Sequence, residues 1–192
     1  MQFKATAIPG TCEVLLQRLE DERGHFARAW CAREFAAQGL PDVCVQASVS
    51  HNADRGTLRG LHFQWPPSQE GKLVRCEQGA VYYVALDLRP DSPTFLEHVA
   101  VVLEAARGNA LFIPAGVAHG FQVLEDDTRV LYLMSDFYAP ELAGGVRFDD
   151  PVFGIDWPLP VGRITPRDRD CPDFDRAAHV EQVRAGPGWR GT

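Results

Sequence analysis

GNALFIPAGVAHGF, residues 108–121, decides how this chain is read. Its fixed points are Gly108, Pro114, Gly116 and His119, in the spacing G-x5-P-x-G-x2-H. An apolar run ends in a Pro-Ala-Gly turn and a second run carries a histidine, as in two short strands joined tightly. A second stretch, RGTLRGLHFQ (55–64), repeats part of this with Gly56 and His62 at G-x5-H.

Outward from these two stretches the text is strand-rich. In VYYVALDLR (81–89), period-2 alternation puts Val81, Tyr83, Ala85 and Asp87 on one face and Tyr82, Val84, Leu86 and Leu88 on the other. FLEHVAVVL (95–103) and TRVLYLM (128–134) read as buried strands. Residues 1–20 read as one or two strands broken at Pro9-Gly10, Asp21 to Gly24 as a charged turn, and His25 to Ala29 as a further strand. CAREFAAQG (31–39) predicts a short helix stopped by Gly39, residues 172–183 a second helix, and 148–160 an irregular packed loop. Short strands at near-regular intervals with few helices predict a mainly β fold, a sandwich or closed barrel. The whole chain, 1–192, reads as one domain with its core at about 13–175 and a mobile C-terminal tail.

The spacing in 108–121 is that of a cupin half-motif. A metal-binding cupin carries a second His two residues after the first, then a Glu; here Gln64 takes that place, and Ser68 and Gln69 stand where the Glu belongs. His62 and His119 supply two donors, short of the three or four a transition metal needs, and Glu70 lies off the spacing. The expectation is a site without metal or cofactor. Two imidazoles in such a barrel then suit proton transfer, because imidazole exchanges a proton near neutral pH.

Bulk properties narrow the classes further. A formal charge of −7 argues against a nucleic-acid binder, although a few basic side chains would suffice for one diphosphate. The 5 cysteines form no CxxC pair and are expected as free thiols of a cytoplasmic protein. No segment approaches the roughly 20 apolar residues of a membrane span, and MQFKATAIPG (1–10) has no apolar run of the length expected of a signal peptide. No Rossmann glycine fingerprint is present.

LRGLHFQ (58–64), GKLVRC (71–76), ALDLRPDSPT (85–94), IPAGVAHGFQVL (113–124), YLMSDFYAPE (132–141) and DDPVFGIDWP (149–158) together resemble dTDP-4-dehydrorhamnose 3,5-epimerases, as does DERGHF (21–26). The resemblance runs in order over about 13–175. It implies a cupin-type double-stranded β-helix (jelly-roll) barrel with short peripheral helices, and an isomerase that inverts C3, C5 or both of a nucleotide-linked 4-keto-6-deoxy sugar, with dTDP the default nucleotide. By the same resemblance His62 is the base, Asp168 its carboxylate partner, Lys72 the cation at the enolate oxygen, Tyr132 the opposing acid and His119 a second active-site histidine. Tyr138 and Gln46 fall in the base-binding region, and Arg59 on the diphosphate side. Arg23 and Phe26 are implied nucleotide contacts from the neighbouring subunit of a homodimer.

The chain departs from the family pattern at four places. Tyr83 stands where a carboxylate is common, Arg28 replaces a Glu, Gln46-Ala47-Ser48 replaces Q-x-N, and Pro166 precedes Arg167 beside Asp168. The middle two leave CDP or GDP open as the nucleotide. Tyr83 leaves open the number of centres inverted, and with it a ketoisomerase or a weakly active nucleotide-sugar binding protein on the same scaffold.

Overall fold

The computed structural model describes residues 1–189. Among the described residues there are thirteen strands: β1 (Gln2–Ala5), β2 (Cys12–Leu15), β3 (Arg18–Asp21), β4 (Gly24–Ala27), β5 (Gln46–Asn52), β6 (Leu58–Gln64), β7 (Lys72–Gln78), β8 (Ala80–Asp87), β9 (His98–Glu104), β10 (Ala110–Ile113), β11 (Val117–Val123), β12 (Thr128–Met134) and β13 (Ala143–Gly145). The helices are α1 (Ala32–Ala36), α2 (Pro166–Arg169) and α3 (Arg176–Ala185), with a 3-10 turn at Pro140–Leu142. One sheet runs β1-β2-β10-β7-β12-β5, the second β13-β6-β11-β8-β9, and β3-β4 forms a separate hairpin. All pairings are antiparallel, so the expected double-sheet jelly roll is the observed architecture.

Alternation explains which side chains face which layer. On β8, Val81, Tyr83 and Ala85 join Val74, Leu111, Phe121 and Val130 between the two sheets. Val84, Leu86 and Leu88 point the other way, under Phe153 and the irregular segment around 146–157. The outer face of the larger sheet is covered by α1, whose Phe35 packs on Val14 and Phe112. Both faces of the central strands are therefore buried, which accounts for their near-continuous apolar text.

The segment 95–103 differs from its expectation. The strand starts only at His98, because Phe95 and Glu97 close turns on Ser92 and Thr94, and along β9 only Leu103 is fully buried. β9 is an edge strand, so most of its side chains remain half-covered. ALDLRPDSPT is structural in the same region: the fully buried Asp87 accepts hydrogen bonds from Arg89 Nε (2.9 Å), Ser92 Oγ (2.5 Å) and Thr94 Oγ1 (2.7 Å). Burial opposes its ionisation, yet these donors hold the carboxyl below its ordinary range.

At the C-terminal end, Trp189 packs on Phe63 and Trp65 and donates from Nε1 to Gln64 O (3.1 Å). Residues 190–192 of the expected mobile tail lie outside the described residues. None of the helices among the described residues is long and apolar enough to cross a membrane.

Candidate active site

The two histidine stretches become neighbours: β6 and β11 pair antiparallel, with His62 opposite His119. The register shifts just beyond, between His119 and Phe121, where two glycines meet. A Cβ on Gly60 would lie 2.7 Å from Gly120 Cα, and one on Gly120 would lie 2.6 Å from Arg59 O. Gly60 also has φ +106°, a conformation that L side chains rarely adopt. The close approach of these backbones sets how both imidazoles enter the barrel.

A cavity of about 330 Å³ opens there, lined by Gln46 and Ser48 of β5, His62 and Gln64 of β6, Lys72 of β7, His119 of β11 and Tyr132 of β12, together with Tyr138 and Arg167. Alternation places these side chains inward: Lys72 shares a face with core Val74 and Cys76, and Tyr132 shares one with Val130.

His62 stands at the exposed side of this cavity, with 42% of its side chain accessible against 6% for Asp168. Its Nε2 is 2.8 Å from Asp168 Oδ1, and Gly60 N donates to Asp168 Oδ2 at 3.1 Å. Burial opposes ionisation of Asp168, but the hydrogen bond and charge of His62, with the Gly60 N–H, hold its carboxyl below the ordinary value. An ionised carboxylate only accepts, so Nε2 carries a proton, and in the neutral ring the lone pair is on Nδ1. Asp168 comes from α2, capped by Thr165 and opened by Pro166 at its first position. Pro166 is thereby explained, since the first helical residue needs no N–H partner.

Lys72 pairs with Glu70, a residue whose proximity in the chain suggested nothing but a poorly spaced metal ligand. Burial pushes the ammonium down, and the Glu70 charge and hydrogen bond oppose that shift. Tyr132 is pushed up by burial, with the Arg59 charge acting against it. His119 is 8% exposed; its Nδ1 lies 2.8 Å from Tyr83 Oη, while Nε2 is buried without a protein partner among the described residues. Burial, then the charges of Lys72 and His62, hold this imidazole well below its ordinary value.

The expected binding residues divide. Gln46 Oε1 accepts from Tyr138 N (3.2 Å), so these two form one wall of the cavity mouth. Arg59 is held by Asn52 Oδ1 (2.7 Å) and His51 O (3.3 Å). Arg23 and Phe26 sit apart on the β3-β4 hairpin, where Arg23 pairs with Asp21 (2.5 Å) and Phe26 is 72% exposed. Ser48 was noted only within the Gln46-Ala47-Ser48 departure from Q-x-N; Glu70 and Arg167 were missed by motif reading, and so was the work of Gln64. Its Oε1 accepts from Ala139 N (2.8 Å), tying the Tyr138 segment to β6. Period 2 from Gln46 was the signal available for Ser48. Among the described residues no three His, Cys, Asp or Glu side chains converge as a metal site.

Comparison with known proteins now adds to this geometry. The family model described as dTDP-4-dehydrorhamnose 3,5-epimerase matches residues 5–176. A dTDP-4-dehydrorhamnose 3,5-epimerase of Pseudomonas aeruginosa is 46% identical over 160 residues, 82% of this chain and 87% of that one. The crystal structure of the Legionella pneumophila dTDP-6-deoxy-D-glucose-3,5-epimerase in complex with dTDP-4-keto-L-rhamnose superposes with TM-score 0.87 at 32% identity, covering 98% of each chain. A 3'-monoepimerase from Streptomyces bikiniensis in complex with dTDP-quinovose gives TM-score 0.85 at 30% identity, covering 96% of this chain and 92% of that one.

Proposed function

The chain belongs to the dTDP-4-dehydrorhamnose 3,5-epimerase family, and on that premise we propose how its own residues invert a carbon next to the C4 ketone of a dTDP-linked 4-keto-6-deoxy sugar. The observation that carries the reading is the His62–Asp168 pair on the wall of a cavity that also holds Lys72 and Tyr132.

The ketone acidifies the hydrogens at C3 and C5, because the electron pair left behind delocalises onto O4. His62 Nδ1 takes the proton, and Asp168 stabilises the imidazolium that results. Lys72 is the cation for the enolate oxygen. Because the Lys72 side chain is largely buried, its charge counts for more there than it would in solvent. Tyr132 returns a proton to the opposite face. Its raised pKa does not obstruct this step, since an enolate carbon is a much stronger base than a phenolate, and it favours recovery of the phenol afterwards.

Tyr138 and Gln46 are assigned to the nucleotide base, and Arg59 to the diphosphate side. We assign Arg23 and Phe26 to the substrate of a second protomer, in a homodimer. The projecting β3-β4 hairpin with exposed Leu19 and Phe26, and the open edge strand β5 with exposed Val49, support this. A monomer at micromolar concentration in sedimentation would remove that assignment. Five free thiols favour the cytoplasm. We read 1–192 as a single epimerase domain.

The test of the reaction is proton exchange. In deuterated water the dTDP-linked 4-keto-6-deoxy sugar should take up deuterium at C3, at C5 or at both, followed by NMR. Exchange at neither carbon overturns the reading, and exchange at one marks a single-centre enzyme.

A further inference from the structure

Tyr83 lies behind the wall of this cavity, in the core between the sheets, and takes no part in the mechanism above. It is fully buried on β8, one strand away from His119, with the two rings 9° from parallel and Oη 2.8 Å from Nδ1. No second partner for that hydroxyl is found among the described residues.

The direction of this hydrogen bond follows from what each choice leaves behind. If Nδ1–H donated to Oη, the phenol proton would be stranded in an apolar interior, costly for a buried donor. Nε2 would then be an acceptor on the wall it shares with the Lys72 ammonium, yet no hydrogen bond joins them, because Lys72 is paired with Glu70. If the phenol donates to Nδ1, its proton lies between Oη and Nδ1, and the ring's own proton sits on Nε2, at the cavity wall where a substrate oxygen can accept it. That Nε2 is the buried polar atom without a protein partner, on the wall it shares with Lys72. Burial holds the phenol protonated and the imidazole uncharged, as both directions require, so the choice rests on where each leaves its second proton.

We propose that Tyr83 is a positioning residue that fixes His119 as its Nε2–H tautomer, so that this histidine presents a hydrogen-bond donor, not a base, to the C4 oxygen of the substrate. The inference rests on the epimerase reading for the identity of that oxygen. The tautomer itself does not depend on it. Lys72 and His119 then form a two-donor cradle, one charged and one neutral, and His62 remains the only imidazole with a lone pair facing the substrate. The charged and titratable groups around His119 are His62 on β6, Lys72 on β7 with its Glu70 partner, Tyr83 on β8 and Tyr132 on β12. Only Glu70 among these is an acid that could draw a proton onto the imidazole, and it is taken up by Lys72.

The decisive measurement is 15N-resolved NMR of the His119 ring in the intact protein, assigned by its loss in His119→Gln. The expected result is a protonated Nε2 and an unprotonated Nδ1, unchanged between about pH 5.5 and 8.5. A protonated Nδ1, or an imidazolium forming within that range, overturns the proposal. Tyr83→Phe removes one hydroxyl and keeps the ring. It should release His119 from a single tautomer and lower kcat about fivefold with KM within about twofold, as expected for one neutral hydrogen bond. His119 signals identical in Tyr83→Phe and wild type would overturn it equally. If the wild-type protein exchanged no substrate protons, the epimerase reading would fail on its own, while the ring spectrum would still decide the tautomer.

Discussion

His62 and His119 are partners across one strand pair, yet they occupy opposite environments. The first is 42% exposed and binds a carboxylate through Nε2; the second is buried and binds a phenol through Nδ1. With a carboxylate that only accepts and a phenol that donates, both rings carry their proton on Nε2. They differ in which nitrogen the partner leaves untaken: Nδ1 with its lone pair on His62, Nε2–H on His119. Identical residues on adjacent strands thus become base and donor through their outer partners alone.

The sharpest way to break this contrast is to remove the base. His62→Ala should lower kcat about 10^3- to 10^4-fold, near the upper range for a general base, with the fold intact by circular dichroism. Substrate NMR gives the rate. Retention of more than a tenth of wild-type turnover would mean that another group takes the proton. Asp168→Asn tests the partner rather than the base. It keeps the side chain's shape but removes the charge that supports the imidazolium, so a loss of about 10^2- to 10^3-fold in kcat is expected, with KM little changed. A change confined to KM would make Asp168 a binding residue.

The third test concerns the geometry that lets the two rings differ. Gly120→Ala drives a methyl into Arg59 O at 2.6 Å and toward Gly60 Cα at 3.2 Å. Neither is the end of a flexible side chain, so β6 and β11 must part. A loss of about 2–3 kcal/mol is expected in urea unfolding. An unchanged midpoint would show that the bulge does not depend on this approach.

Much of this contrast was legible in the text of the chain. Gly108, Pro114, Gly116 and His119 stand at a fixed spacing because a tight turn must deliver β11 beside β6, and period 2 then puts His119, Lys72 and Tyr132 inward. What could not be read is where long-range partners fall. Nothing local to Tyr83 says that its hydroxyl meets a histidine 36 residues away. Glu70 stands outside β7, so strand alternation does not carry it onto Lys72. Gln64 was legible as an absent metal ligand, but its grip on Ala139 N depends on a loop brought in from 75 residues away. The buried turn at Asp87 illustrates the reverse limit: a sequence block specific enough to help identify the family proves to close a loop rather than to touch the cavity.

The smallest expected effect is in the pH dependence of stability, and it sharpens the comparison at the buried ring. Folding depresses the pKa of His119, so below the ordinary imidazole value near 6.5 the unfolded chain binds a proton that the folded one refuses. More protons in the unfolded state mean that stability rises with pH. The contribution is therefore complete above about pH 6.5 and declines as pH falls below it, by at most about 1.4 kcal/mol per pH unit for one histidine. His179 adds a slope of the same sign, because burial lowers it too and the Leu88 carbonyl only partly opposes that. Urea midpoints at pH 7.5 and 5.5 should therefore fall with acid in the wild-type protein and fall less in His119→Gln, which cannot titrate. Equal slopes in the two proteins would mean that folded His119 accepts the proton after all, and the wall assigned here to a neutral donor would have to be redrawn as a second charged one.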